Sequence, residues 1–154
     1  MTRSLQVLLG GPATRRAIEV LMEASAKEKG RSLAENQRET LRDVLVNAAL
    51  GRVYLGTYNE EPCGFVLALF VQSVGHGGRI AVIDEVYVAP RRQDQGISKS
   101  LIRHAVADLD TFGVVALAAL EKPGGPLSAL LEAEGFERCP CQLFEKRFDP
   151  AGAE

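Results

Sequence analysis

Val88-Ala89-Pro90-Arg91-Arg92-Gln93-Asp94-Gln95-Gly96-Ile97-Ser98-Lys99 is the stretch on which the reading of this chain turns. It follows a β-rich run, Arg79 to Val88, and opens the clearest periodic segment in the sequence. Leu101, Ile102, Ala105, Val106 and Leu109 lie four, five, eight, nine and twelve residues beyond Ile97, one stripe of a helix that begins at Gly96. A strand, a polar loop and a helix therefore meet here. The first turn of a helix has unpaired backbone N–H groups and the positive end of the macrodipole, which suits a phosphate. Gly96 and Ser98 are small enough for a phosphate to approach the backbone, and Arg91 and Arg92 stand beside the loop to neutralise charge. Asp94 opposes that role unless its side chain turns to solvent. By itself the pattern is shared with plain tight turns.

The surrounding chain places this stretch within one sheet. A short extended segment, Leu5 to Leu9, is followed by Gly10-Gly11-Pro12 and a helix in which Ile18, Leu21, Met22 and Ser25 share a face and Gly30 is the stop. A second helix is expected from about Ser32 to Leu50, with Leu41, Val44, Leu45 and Ala48 as its stripe. Val53 to Tyr58 and the dense apolar run Cys63 to Gln72 flank the turn Asn59-Glu60-Glu61-Pro62; a glycine-rich turn then leads into Arg79 to Val88. Two hairpins in succession make an antiparallel meander. After the Gly96 helix, Phe112 to Leu120 reads as strand, Leu127 to Glu134 as a short helix capped by Gly135, and Gln142 to Phe148 as a last strand. The tail from Asp149 is expected to fray. The order β-α-α-β-β-β-α-β-α-β describes an α/β (α+β) chain, a mixed sheet with helices on its faces.

Composition excludes more than it assigns. The 154 residues are 46% hydrophobic and 25% charged, values of a globular chain and not of a disordered one. We expect a single domain over residues 1–154, since no repeat or linker interrupts it. The net charge of −2 argues against a nucleic-acid partner, and no apolar run is long enough for a membrane span. The apolar part of MTRSLQVLLGGPATRR is too short for a signal peptide, and three cysteines make no disulfide framework; the expected location is the cytoplasm.

Gln93-x-x-Gly96-x-Ser98, after a β-run ending Glu85-Val86-Tyr87-Val88-x-Pro90, resembles the acyl-CoA signature of GNAT-type N-acetyltransferases. The similarity continues through Leu130-Leu131-Glu132-Ala133-Glu134-Gly135-Phe136 and Phe144-Glu145-Lys146, and the element order follows the family throughout. The resemblance implies a mostly antiparallel twisted sheet flanked by helices, and acetyl-CoA as co-substrate. It implies that backbone groups of Val86 and Val88 pair with the pantetheine arm, and that the loop Gln93, Asp94, Gln95, Gly96, Ile97, Ser98 and Lys99 gives N–H groups to the pyrophosphate. Two positions depart from the family. Ser98 stands where Gly or Ala is usual, and Leu131 stands where a tyrosine often serves as acid for the leaving thiolate; Gly124 aligns with an asparagine.

Acetylating an amine also needs a base, because an alkyl ammonium has a pKa near ~10.4. Asp84 and Glu85 are adjacent on a strand and are expected to point to opposite faces. Glu85 occupies the position where relatives carry an acidic strand residue facing the active site, which makes it the candidate base. A strand N–H near Val88 would polarise the carbonyl. Tyr87 and Ser128 are the hydroxyls available to replace the missing tyrosine. The acceptor would be a small-molecule or peptide amine, and the reading leaves room for a homodimer. The alternative, motivated by the missing tyrosine, is a GNAT-like module that holds acyl-CoA without turnover.

Other residues invite readings that their spacing does not support. Cys139-Pro140-Cys141 has C-x-C spacing, unlike paired zinc motifs, so with Cys63, His76 and His104 it is read as holding no metal. His104 lies beside the stripe of the Gly96 helix, as a boundary histidine would. Glu23, Glu28, Glu35 and Glu39 are interleaved with Lys27, Lys29, Arg31 and Arg38, the composition of a solvated mixed face.

Overall fold

The run Cys63 to Phe70 is apolar without alternation, and the computed structural model, which describes residues 4–148, shows why. In chain order the elements are β1 (Leu5–Leu9), α1 (Arg15–Glu28), α2 (Glu35–Val46), β2 (Gly51–Tyr58), β3 (Glu61–Ser73), β4 (Gly78–Val88), α3 (Ile97–Phe112), β5 (Ala116–Ala119) and α4 (Ser128–Ala133). The five strands form one mixed sheet in the order β1-β2-β3-β4-β5; all pairs are antiparallel except β4 with β5. β3 is central and covered on both faces, so its side chains are apolar on both.

Alternation along the strands divides the core into two layers. Phe65, Leu67, Val53 and Leu55 meet Ile18 and Leu21 of α1 and Leu41 and Val44 of α2. Val66, Ala68, Ala81 and Ile83 meet the α3 stripe of Leu101, Ile102, Ala105 and Leu109. The stripe read from sequence is thus the buried face of α3, except for Val106, which is 37% exposed. Close packing at the end of α3 near the loop depends on Gly64: a Cβ there would stand 2.5 Å from the Tyr87 carbonyl oxygen and 3.3 Å from Leu101.

Several boundaries differ from expectation for local reasons. α2 is shorter at both ends than Ser32 to Leu50. The strand expected from Phe112 begins only at Ala116, because α3 runs through Phe112 and Gly113 closes it in the left-handed region at φ 95°. The last expected strand, Gln142 to Phe148, does not form: residues 136–148 belong to no helix or strand. Its composition suits a strand, but a strand exists only where another edge pairs with it. Here Leu143, Phe144 and Phe148 are exposed, and the ion pairs are local, Arg138 with Glu132 and Arg147 with Glu145. The fraying expected from Asp149 lies outside the described residues.

One irregularity matters for the site. Leu67 pairs with Glu85 while its neighbour Ala68 pairs with Ile83, so Asp84 is an extra residue in β4, a β-bulge. A bulge bends its strand and re-aims the side chains beside it.

Candidate active site

β5 ends at Ala119, opposite Ile83, so from Asp84 to Val88 the outer edge of β4 has no strand beside it among the described residues. On the other edge the Ala89 N–H bonds to the Cys63 carbonyl at 2.8 Å, so the groups of Ala89 and Tyr87 face β3. By alternation those of Val86 and Val88 face the open edge. The Val88 carbonyl accepts a hydrogen bond from Gln93 Nε2 at 3.1 Å, which folds the loop back onto the strand.

A turn at Pro90–Arg92 carries the chain into this loop, and Gly96 then starts α3 at φ 75°. That left-handed backbone is natural for glycine, and a Cβ at Gly96 would meet nothing within 4 Å, so the space beside it is open. No side chain among the described residues caps the helix; its first helical hydrogen bond runs from the Ser100 N–H to the Gly96 carbonyl at 3.1 Å. The N–H groups at the start of α3 therefore border a cavity of about 250 Å³, lined by Val88, Gln93, Asp94, Gly96, Ser98 and Lys99 together with Arg92, Ile97 and Leu130. Of the nine residues read from sequence for acyl-CoA, seven line this cavity; Val86 lies on β4 outside the lining, and Gln95 is exposed with its amide reaching back to the Arg91 carbonyl.

The two arginines separate. Arg92 lines the cavity with its guanidinium 4.2 Å from the Tyr58 ring centroid. Arg91 instead pairs with Glu61 at 3.3 Å, away from the helix start. Asp94 is exposed, adopts the left-handed backbone of a turn at φ 63°, and also lines the cavity.

On the α1 and α2 side a second cavity of about 400 Å³ opens between β4 and the turn that joins the two helices. Asp84 and Glu85 both line it, which corrects the expectation of opposite faces; the bulge brings them to one wall. Ser25 of α1 is 3% exposed and donates its hydroxyl hydrogen to Glu85 Oε1 at 2.7 Å, while Lys29 Nζ stands 3.9 Å from the same oxygen. The Glu85 side chain is 23% exposed, so it is held in place and still reachable. Ser25 was read from sequence only as a helix-stripe residue; nothing in the sequence joins it to a carboxylate 60 positions on.

The substitutes for the missing tyrosine are differently placed. Tyr87 Oη donates towards Glu28 Oε1 at 3.5 Å on the α1 side, and burial, reinforced by the Glu28 charge, pushes its phenol up. Ser128 is the first residue of α4. Leu131 is 7% exposed and Gly124 turns the chain at φ 72°. Away from both cavities, Cys63 is buried, and the exposed Cys139 and Cys141 bring their sulfurs to 2.7 Å. His104 is exposed with its ring edge-on to Tyr54 at 5.9 Å between centroids. Glu23 and Glu35 both pair with Arg38, as a mixed face would.

The acetyltransferase (GNAT) family model matches residues 17–136. The structure is similar to that of an integron cassette protein from the mobile metagenome of Cole Harbour Salt Marsh, with a TM-score of 0.84 at 20% identity, covering 94% of this chain and 91% of that one. A possible acetyltransferase from Clostridium difficile 630 gives a TM-score of 0.82 at 16% identity, over 95% and 99% of the two chains. The aminoglycoside N-acetyltransferase AAC(6')-Iy, in complex with CoA, gives 0.78 at 14% identity, over 96% and 97%. At these identities the likeness is one of fold. No curated protein matches the sequence significantly. No helix among the described residues is long and apolar enough to cross a membrane.

Proposed function

The chain belongs to the acetyltransferase (GNAT) family, and from that premise we propose that it is an acetyl-CoA-dependent N-acetyltransferase acting on a primary amine by direct attack in a ternary complex. The observation that carries this reading is that two separate cavities open on one short piece of β4. Val88 lines the first and Glu85 the second. At ~3.3 Å per residue they are about 10 Å apart along the strand, a span that a thioester and an amine can bridge.

In this reading the pyrophosphate of acetyl-CoA rests on the N–H groups at the start of α3, with Arg92 and Lys99 as its cations. The pantetheine arm lies along the open edge at Val86 and Val88, taking the place of a neighbouring strand. The amine enters the other cavity as an ammonium and loses a proton to Glu85, directly or through water. Its nitrogen then attacks the thioester carbon while the carbonyl oxygen accepts a hydrogen bond from the Val88 N–H. A C–N bond forms, the C–S bond breaks, the sulfur leaves with the electron pair, and the second proton passes to water or to the thiolate. A thiol of pKa ~8.5 is a workable leaving group as an anion, so Leu131 in place of a hydroxyl slows this step without preventing it.

Leu131 is also what favours a second reading, an acyl-CoA-binding module without turnover. Calorimetric titration with CoA, beside thiol release from acetyl-CoA over a panel of primary amines, decides between them. Binding together with amine-dependent thiol release is the expected result. Binding with no release on any amine establishes the module, and no binding at all rejects both.

A further inference from the structure

We infer that the acceptor is a small amine carrying one anionic group and an apolar body, of the kind represented by free amino acids, and not a polycation; this rests on the acetyl transfer proposed above. The charges of the larger cavity balance. Asp84 and Glu85 stand on the β4 wall, and Lys29 and Arg31 on the turn after α1. Glu85 already has Lys29 at 3.9 Å, which leaves Asp84 as the one acid of the lining without an ion-pair partner among the described residues, enough for one ammonium group and not for several. A polyamine or an aminoglycoside would bring extra positive charges against Lys29 and Arg31, and like charges facing each other oppose binding.

Arg31 is the cation left for a ligand. Its guanidinium has no ion-pair partner among the described residues, whereas the neighbouring Arg38 is committed to Glu23, Glu35 and the Leu33 carbonyl. Those contacts of Arg38, and the hydrogen bond from the Arg31 N–H to the Ala26 carbonyl at 2.9 Å, fix the turn that presents Arg31 to the cavity. A planar guanidinium with free donors matches a carboxylate or phosphate. Met22, Leu41, Val44, Leu67 and Leu69 supply the apolar lining for the rest of the ligand. A volume of about 400 Å³ is near the small end of ligand sites, ~300–1,000 Å³, which suits one compact molecule.

The test compares leucine with leucinamide, and 5-aminopentanoate with its amide, by kcat/KM with acetyl-CoA; spermidine is the polycationic control. Each pair keeps the primary amine and carbon skeleton and replaces the anion by a neutral amide; in the five-carbon pair the amine is too far from that group for its basicity to change much. At least one carboxylated amine is expected to exceed its amide and spermidine by about tenfold, and Arg31→Gln is expected to bring that ratio close to one. An amide or spermidine that equals the acids, or a ratio that Arg31→Gln leaves unchanged, overturns the inference. Failure of the underlying reading looks different: no thiol is released with any amine. In that event calorimetry of the same pairs on wild type and Arg31→Gln still decides the ligand class, and equal or absent binding of acid and amide overturns it.

Discussion

The two cavities beside β4 are built from different parts of the chain. The one at the start of α3 is made largely of main chain, with the open N–H groups of a helix, a glycine at φ 75° and an unpaired strand edge. The one on the α1 side is made of side chains from segments far apart in the chain, Ser25, Lys29 and Arg31 of α1 and the turn after it, then Asp84 and Glu85 of β4. Main-chain recognition tolerates nearly any side chain that stays small and out of the way. Side-chain recognition depends on each residue and on the bulge that aims two of them. In the proposed function, the first cavity can therefore be common to a family whose members differ widely, while the second would set the chemistry and acceptor of one member.

The largest expected effect is on the side-chain half. Glu85→Gln keeps the shape and the Ser25 contact but cannot take a proton, so kcat should fall by about 10²–10⁴-fold, the usual worth of a general base. CoA affinity by calorimetry should stay the same, since Glu85 lines only the other cavity. Full activity would remove Glu85 from the reaction. The main-chain half breaks in the complementary way. Gly96→Glu places a carboxylate where the pyrophosphate is proposed to lie, and like-charge contact of several kcal/mol corresponds to a loss of CoA affinity of about 100-fold or more. Some of the damage would be to the fold, because a side chain at φ 75° is strained by about 1–2 kcal/mol. Gly96→Ala carries that strain without the charge and should keep CoA affinity within about threefold. If Ala weakens binding as much as Glu does, backbone distortion and not the charge is responsible.

This difference in construction also explains what the sequence made legible. The stretch from Val88 to Lys99 is contiguous, its glycine and helical period are local signals, and the structure places it as read. The apolar run of β3 and the α3 stripe follow from the same local logic. The second cavity has no such signal. Whether Asp84 and Glu85 oppose or adjoin each other depends on the register of β3 against β4, and the bulge at Asp84 is a property of that pairing. Arg91, expected beside Arg92 as a neutralising charge, pairs instead with Glu61, a partner 30 positions earlier that no local signal announces. Gln142 to Phe148 shows the reverse case, where strand-like composition had no edge to complete it.

A smaller effect tests how rigidly the side-chain half is held. Ser25→Ala removes a buried donor to the Glu85 carboxylate, a kind of hydrogen bond worth ~1.5–3 kcal/mol, of which only part would be felt in the reaction. An expected tenfold drop in kcat with an unchanged KM for acetyl-CoA marks Ser25 as a positioning residue. A parallel change in both would mean a general disturbance of α1.

The smallest effect concerns what steadies the main-chain half from behind. Asp108 of α3 accepts hydrogen bonds from Tyr54 Oη at 2.6 Å and Arg52 Nη1 at 2.5 Å, and the Arg52 guanidinium stacks 3.9 Å from the Phe112 ring centroid. Burial works against the charge of Asp108, but these two hydrogen bonds and the Arg52 charge outweigh it and hold its carboxyl below the usual carboxylate range. A group with a lowered folded pKa stabilises above its unfolded value, near ~3.9, and loses that contribution as the pH falls through the folded one. Asp108→Asn should therefore lower Tm at neutral pH and flatten its acid limb, with the two proteins converging at the lowest pH. The catalytic comparison predicts more: because α3 carries only the main-chain cavity, the variant should affect CoA binding before it affects the amine site. A rise in the KM for the amine at a constant KM for acetyl-CoA would show that the two halves are mechanically joined through β4.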